Sequence, residues 1–121
     1  MGVIHRYKGD FDWEGVAQES YPPERNMKGV TVRRLIGPAE AAPNYSLRYF
    51  EVEAGGWSCL EQHAHDHGVM VMRGQGSVQL GDEHFKIAFG DVIYIPGDQL
   101  HQLRNTGDEP FGFLCVIPAL E

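Results

Sequence analysis

Glu61, His63, His65 and His67 stand at alternate positions of one short run, Glu61-Gln62-His63-Ala64-His65-Asp66-His67, which holds three of the six histidines of the chain. Along an extended strand alternate side chains share a face. A carboxylate and three imidazoles on one face are costly to bury unless they hold something, and neutral imidazole is a good ligand for divalent transition metals. The run lies mid-chain between apolar segments, Trp57 to Leu60 and Val69 to Met72, which argues against a solvated strand edge or a terminal tag. The chemistry indicated is metal binding.

The elements that must position this run are short strands. Gly29 to Ile36 is β-branched and stops at Gly37-Pro38, and Asn44 to Ala54 alternates apolar with polar residues up to a turn at Gly55-Gly56. Trp57 to His63 reads as the strand that enters the histidine run. Gly68 to Arg73, Ser77 to Leu80, Glu83 to Ala88, Val92 to Ile95, Leu100 to Arg104 and Phe111 to Ile117 follow, separated by Gly74-Gln75-Gly76, Gly81-Asp82, Gly90-Asp91, Pro96-Gly97-Asp98 and Asn105 to Asp108. Short strands with frequent turn signals and almost no helical periodicity indicate an all-β sandwich or barrel. Residues 1–27 read as an irregular N-terminal arm, in which Pro22-Pro23 ends any helix over Asp12 to Glu19, and residues 28–121 as the barrel domain.

The chain has 121 residues, 42% of them hydrophobic, which is one domain with a core of its own. Its net charge of −7 argues against nucleic acid and anionic membrane partners, which need basic surface. No apolar run is long enough to span a membrane and Met1 to Asp10 lacks the apolar stretch of a secretory signal, so a cytoplasmic location is expected. Cys59 and Cys115 lie in apolar segments and read as buried free thiols.

Two segments resemble the paired motifs of the cupin superfamily. The first runs through Gly55, Glu61, His63, His67 and Gly74, and the second through Gly90, Pro96, His101 and Asn105. The resemblance covers about residues 45–118 and implies a small single-domain, metal-binding cupin with a double-stranded β-helix, or jelly-roll barrel. It implies Glu61, His63, His67 and His101 as ligands of a divalent transition metal: iron, manganese, nickel, copper or zinc. This chain departs from the family in carrying Glu61 where histidine is usual and His67 where glutamate is frequent. His65 is an extra imidazole and an alternative ligand to Glu61. Asp98 stands where the second motif has glycine, with Gly97 beside it.

Trp57 and Cys59 share the parity of Glu61 and His63, so they are expected in the pocket with Tyr94, Phe113 and Cys115. Tyr49, Phe50, Met70 and Met72 are further candidate walls, against a reading as plain core. Arg48, Arg73 and Arg104 are candidates for holding an anionic substrate. Gln62, Gln102 and Asp66 are candidates for orienting imidazoles through hydrogen bonds. His84 reads as a solvated surface group.

The function implied is a metal-dependent enzyme acting on a small polar molecule, as a quercetinase-like oxygenase or a related lyase or isomerase. Glu61 would serve as a general base if it is not a ligand. The alternatives are a non-catalytic module that binds or senses a small ligand, and a protein whose metal is only structural. A homodimer is expected, because open sheet edges need cover and the arm's apolar residues have no evident place on a lone barrel.

Overall fold

The computed structural model describes residues 2–22 and 25–119. Of the sequence expectations, those on Pro23 and on the last two residues of the barrel domain lie outside them. Eleven strands run in chain order: β1 (Tyr7–Gly9), β2 (Asp12–Trp13), β3 (Gln18–Ser20), β4 (Lys28–Ile36), β5 (Tyr45–Trp57), β6 (His67–Arg73), β7 (Gln75–Leu80), β8 (Glu83–Ala88), β9 (Val92–Ile95), β10 (His101–Arg104) and β11 (Phe111–Pro118). Among the described residues there is no α-helix, and a 3-10 turn forms at Pro38–Glu40. Among the described residues no helix is long and apolar enough to cross a membrane.

All strand pairs are antiparallel, and the main sheet curls in the order β8-β7-β10-β5-β11-β6-β9, with β4 also on β5 and β3 on β4. The long strand β5 makes the curl possible. Its first part lies between β4 and β11, and its last residue, Trp57, pairs with Arg104 of β10. This is a β-barrel, as the turn spacing indicated, in the jelly-roll form that the cupin resemblance implied. The inward faces of both halves meet in one core that includes Val32, Val52, Val71, Val78, Ile95 and Phe111.

Strand alternation holds wherever a strand is continuous. On β6, His67, Val69 and Val71 point in and Met70 points out; on β9, Ile93 and Ile95 point in and Val92 and Tyr94 point out. Two expectations fail for local reasons. Gly55-Gly56 does not turn the chain: β5 continues through it, with Gly55 at φ +79° and a register shift against β4. A glycine there allows a bulge that bends the strand around the barrel. The supposed strand from Trp57 to His63 stops at Trp57, because Ser58, Cys59 and Leu60 leave the ladder before one isolated bridge at Glu61.

The arm is more regular than expected. β1 and β2 form a small hairpin and β3 joins the main sheet. Phe11 stacks on Tyr49 and Trp13 packs against it at a tilt, with ring centroids 5.3 and 5.6 Å away, and Tyr21 stacks on Phe50. Phe11, Trp13 and Tyr21 of the arm thus have a place on their own barrel, while Val3, Ile4 and Tyr7 stay exposed. Tyr49 is buried beneath the arm on the outside of the sheet, where its hydroxyl donates to Glu51.

Candidate metal centre

Glu61 and His101 come from the two separate motifs and are locked side by side. Their backbones exchange hydrogen bonds, Glu61 N–H to the His101 carbonyl at 3.0 Å and His101 N–H to the Glu61 carbonyl at 2.9 Å. β6 then begins with His67. Between them, residues 62–66 form a loop fastened to the β9–β10 turn. The Asp98 N–H donates to the His63 carbonyl at 2.7 Å, and the Gln62 side chain donates to the Asp98 carbonyl at 2.8 Å. Gly97 lets that turn approach, since a Cβ there would meet the Ala64 carbonyl oxygen at 2.3 Å. Asp98 adopts φ +63°, so the position where the family motif has glycine keeps glycine's left-handed backbone. Aspartate is among the few residues that tolerate it.

These anchors bring the imidazoles together. One ring nitrogen from each of His63, His67 and His101 falls within a group no wider than 4.8 Å, and the Nε2 atoms of His63 and His67 are 3.4 Å apart. His67 and His101 are buried and His63 half-buried. The His101 Nδ1 lies 2.8 Å from the Gln99 carbonyl oxygen. A carbonyl only accepts, so Nδ1 carries the proton and Nε2 of the neutral ring has a free lone pair. The His67 Nδ1 meets the Cys115 thiol at 3.2 Å, across the β6–β11 pair. The His63 Nδ1 is buried with no hydrogen-bond partner among the described residues.

Three inward-facing nitrogens, one of them on a ring with an orphaned polar atom, are a costly arrangement for an empty site and a good one for a cation. The donor set fits a divalent transition metal, since neutral imidazoles suit several of these ions alike.

His63, His65, His67 and Glu61 all face the same cavity, as the alternating run suggested, although a loop rather than a strand carries His63 and His65. The Glu61 carboxylate is 3.9 Å from the His63 Nε2 and stands beside the histidine trio. His65 stacks on His63, with ring centroids 4.0 Å apart, and is not part of the converging group.

The cavity measures about 210 Å³, and its floor is apolar, with Val69, Ile95, Leu103 and Phe113. Phe113, Cys115, Phe50 and Arg48 line it as anticipated. Trp57, Cys59 and Tyr94 do not. Trp57 lies outside, between the cations of Lys28 and Arg104. Cys59 is half-exposed, its thiol against the Arg25 carbonyl, so only Cys115 is the buried free thiol expected of both. The parity argument failed there because the break after Trp57 resets the alternation. Tyr94 is 64% exposed and donates to Asp66, which is therefore engaged away from the histidines. Tyr49, Met70 and Met72 are also absent from the lining.

Gln102 reaches the Ser58 carbonyl rather than an imidazole, and Asn105 holds the β10–β11 turn through the Val52 and Glu109 carbonyls. His84 is exposed, as read. Tyr21, Arg25 and Met27, all within the arm, also line the cavity and were not among the expected pocket residues; the signal was the pairing of an aromatic and a cation just before β4.

Burial, reinforced by the neighbouring imidazoles and Arg48, pushes the His67 pKa down from 6.5 to about 3. The unfolded chain then binds a proton that the folded, metal-free protein refuses between those values. Stability is therefore present above pH 6.5 and falls as the pH drops toward 3. Urea midpoints of chelator-treated protein should fall from pH 7.5 to pH 5, and fall less in His67→Gln. An equal slope in both proteins would show that His67 is not the group responsible.

The comparisons with known proteins agree with this geometry. The cupin domain family matches residues 48–117. A curated relative, 1-methylthio-D-xylulose 5-phosphate methylsulfurylase of Rhodospirillum rubrum, is 37% identical over 113 residues, covering 93% of this chain and 72% of that protein. Among solved structures, a cupin 2 conserved barrel domain protein from Rhodopseudomonas palustris superposes with a TM-score of 0.86 at 36% identity, over 98% of this chain and 82% of that one. A polyketide cyclase from Streptomyces resistomycificus superposes at 0.83 with 26% identity, over 99% and 80%. With the curled antiparallel sheet and both motifs in place, the chain belongs to the cupin family.

Proposed function

We propose that this protein is a metal-dependent enzyme acting on a small polar carbonyl compound, in the manner of a lyase or isomerase. The observation that carries the proposal is the meeting of His63, His67 and His101 in the wall of a cavity that also presents a carboxylate, Glu61, and a cation, Arg48. Size favours this chemistry over a flavonol oxygenase. A cavity of about 210 Å³ is below the roughly 300–1,000 Å³ that encloses drug-sized ligands. The name of the Rhodospirillum relative points the same way, toward a ketose phosphate.

His63, His67 and His101 would hold the ion, which on binding would polarise a carbonyl or hydroxyl oxygen as a Lewis acid. Glu61 stands beside them as the proton acceptor for the carbon next to that carbonyl, held in place by its backbone bridge to His101. The Gln99 carbonyl keeps the His101 ring in one tautomer, and Cys115 braces the His67 ring. Val69, Ile95 and Leu103 keep the floor dry, which strengthens every polar contact above it.

The test is turnover. The protein should be stripped and reloaded separately with iron, manganese, nickel, copper and zinc. Each form is then offered ketose phosphates, including 1-methylthio-D-xylulose 5-phosphate, together with keto acids, diketones and flavonols, and products are followed by NMR. Metal-dependent conversion of a ketose phosphate or keto acid is the expected result. Binding without product in every form would make the protein a ligand-binding module, and flavonol cleavage would make it an oxygenase.

A further inference from the structure

Arg48 is a cation that lines the cavity and, among the described residues, pairs with no carboxylate. Register on β5 places it opposite Arg34 of β4 on one side and Cys115 of β11 on the other. Like charges directly opposite on neighbouring strands are unfavourable unless anions intervene. Arg34 has Glu19 at 3.2 Å; Arg33 has Asp12 and Arg73 has Glu51. Among the described residues Arg48 has no carboxylate. It reaches the Cys115 sulfur at 3.4 Å and lies 4.8 Å over the Phe50 ring, and its Nε is buried with no hydrogen-bond partner.

A guanidinium with a desolvated, unused N–H is destabilising until a planar oxyanion takes it up. Tyr21 and Arg25 line the same cavity.

We propose that Arg48 is the subsite for an anionic group of the substrate, a carboxylate or a phosphate, bound through the guanidinium fork. The inference rests on reading the cavity as the substrate site, and it adds what that substrate must carry. Cys115 lies between Arg48 and the His67 Nδ1, so a compact molecule can place its anion on Arg48 while its carbonyl faces the histidine trio. The fork geometry suits both oxyanions, and lysine would match only the charge.

Calorimetric titration of the zinc-loaded protein tests this with two matched pairs: D-xylulose 5-phosphate against D-xylulose, and pyruvate against pyruvamide. In the native sequence one charged member should bind about tenfold or more tighter than its neutral counterpart, and the pair that shows it identifies phosphate or carboxylate. Arg48→Gln should bring the two within about twofold, and Arg48→Lys should keep part of the difference. A preference that survives in Arg48→Gln, or no preference in either pair, overturns the inference. A second measurement needs no variant: the Arg48 Nε–Hε NMR resonance should shift saturably with inorganic phosphate or with acetate, and a resonance unmoved by both overturns the subsite. A protein that takes up zinc yet shows no anion preference contradicts this inference alone. One that takes up no metal contradicts the metal-centre reading, and the NMR titration then decides the anion site.

Discussion

Replacing His67 with alanine should lower affinity for a divalent transition metal by more than about a hundredfold. Loss of a residue that merely orients a ligand typically costs 10–100-fold, and His67 is argued to be a ligand itself. The ring is buried, its Nε2 faces that of His63 at 3.4 Å, and its Nδ1 is occupied by Cys115, so it has one nitrogen to give and one direction to give it. No neighbour can replace it. His65 is stacked on His63 and is not part of the converging group. Competition titration with a chromogenic chelator measures the change, with His84→Ala as the control, because His84 is exposed. Unchanged affinity in His67→Ala, or an equal loss in His84→Ala, would remove the histidine trio as the binding site.

Replacing Glu61 with glutamine should leave metal content near that of the native protein and lower turnover by about 10²–10⁴-fold, the usual worth of a positioned acid or base. The substitution keeps the shape of the side chain and the backbone bridge to His101, so the loop has no reason to move. What is lost is the ability to take a proton beside the substrate carbonyl. The comparison also separates the two roles open to this carboxylate. If metal is lost in step with activity, Glu61 is a ligand, as the family register implies. If metal stays and activity falls, it is the base. Full activity in Glu61→Gln would exclude both.

The relation between residue order and this site is uneven. Strands such as β6, β9 and β11 could be read directly, because continuous ladders impose a two-residue period and a buried face demands apolar residues at every second position. The two glycine-bounded motifs could be read because a tight turn or bulge needs glycine or a tolerant residue at a fixed place, as Asp98 shows at φ +63°. The grouping of His63, His67 and His101 followed from those motifs. What could not be read was phase across a break. Trp57 and Cys59 were placed inward by counting through Ser58 to Leu60, where no ladder enforces the count. Tyr94 was placed inward on residue type, although its own strand alternation sends Ile93 and Ile95 to the core. The arm's particular partners could not be read for a different reason: Phe11, Trp13 and Tyr21 meet Tyr49 and Phe50 only once the barrel exists. Long-range stacking of this kind leaves no local period.

The most direct measurement is X-ray absorption at the metal edge, with elemental analysis, on tag-free protein and on a variant with His63, His67 and His101 all replaced by alanine. The expected result is about one transition-metal ion per chain with a first shell dominated by imidazole nitrogen, and none in the triple variant. Native protein that holds no ion after exposure to each candidate metal, or a triple variant that still holds one, would contradict the centre on which the proposed chemistry depends.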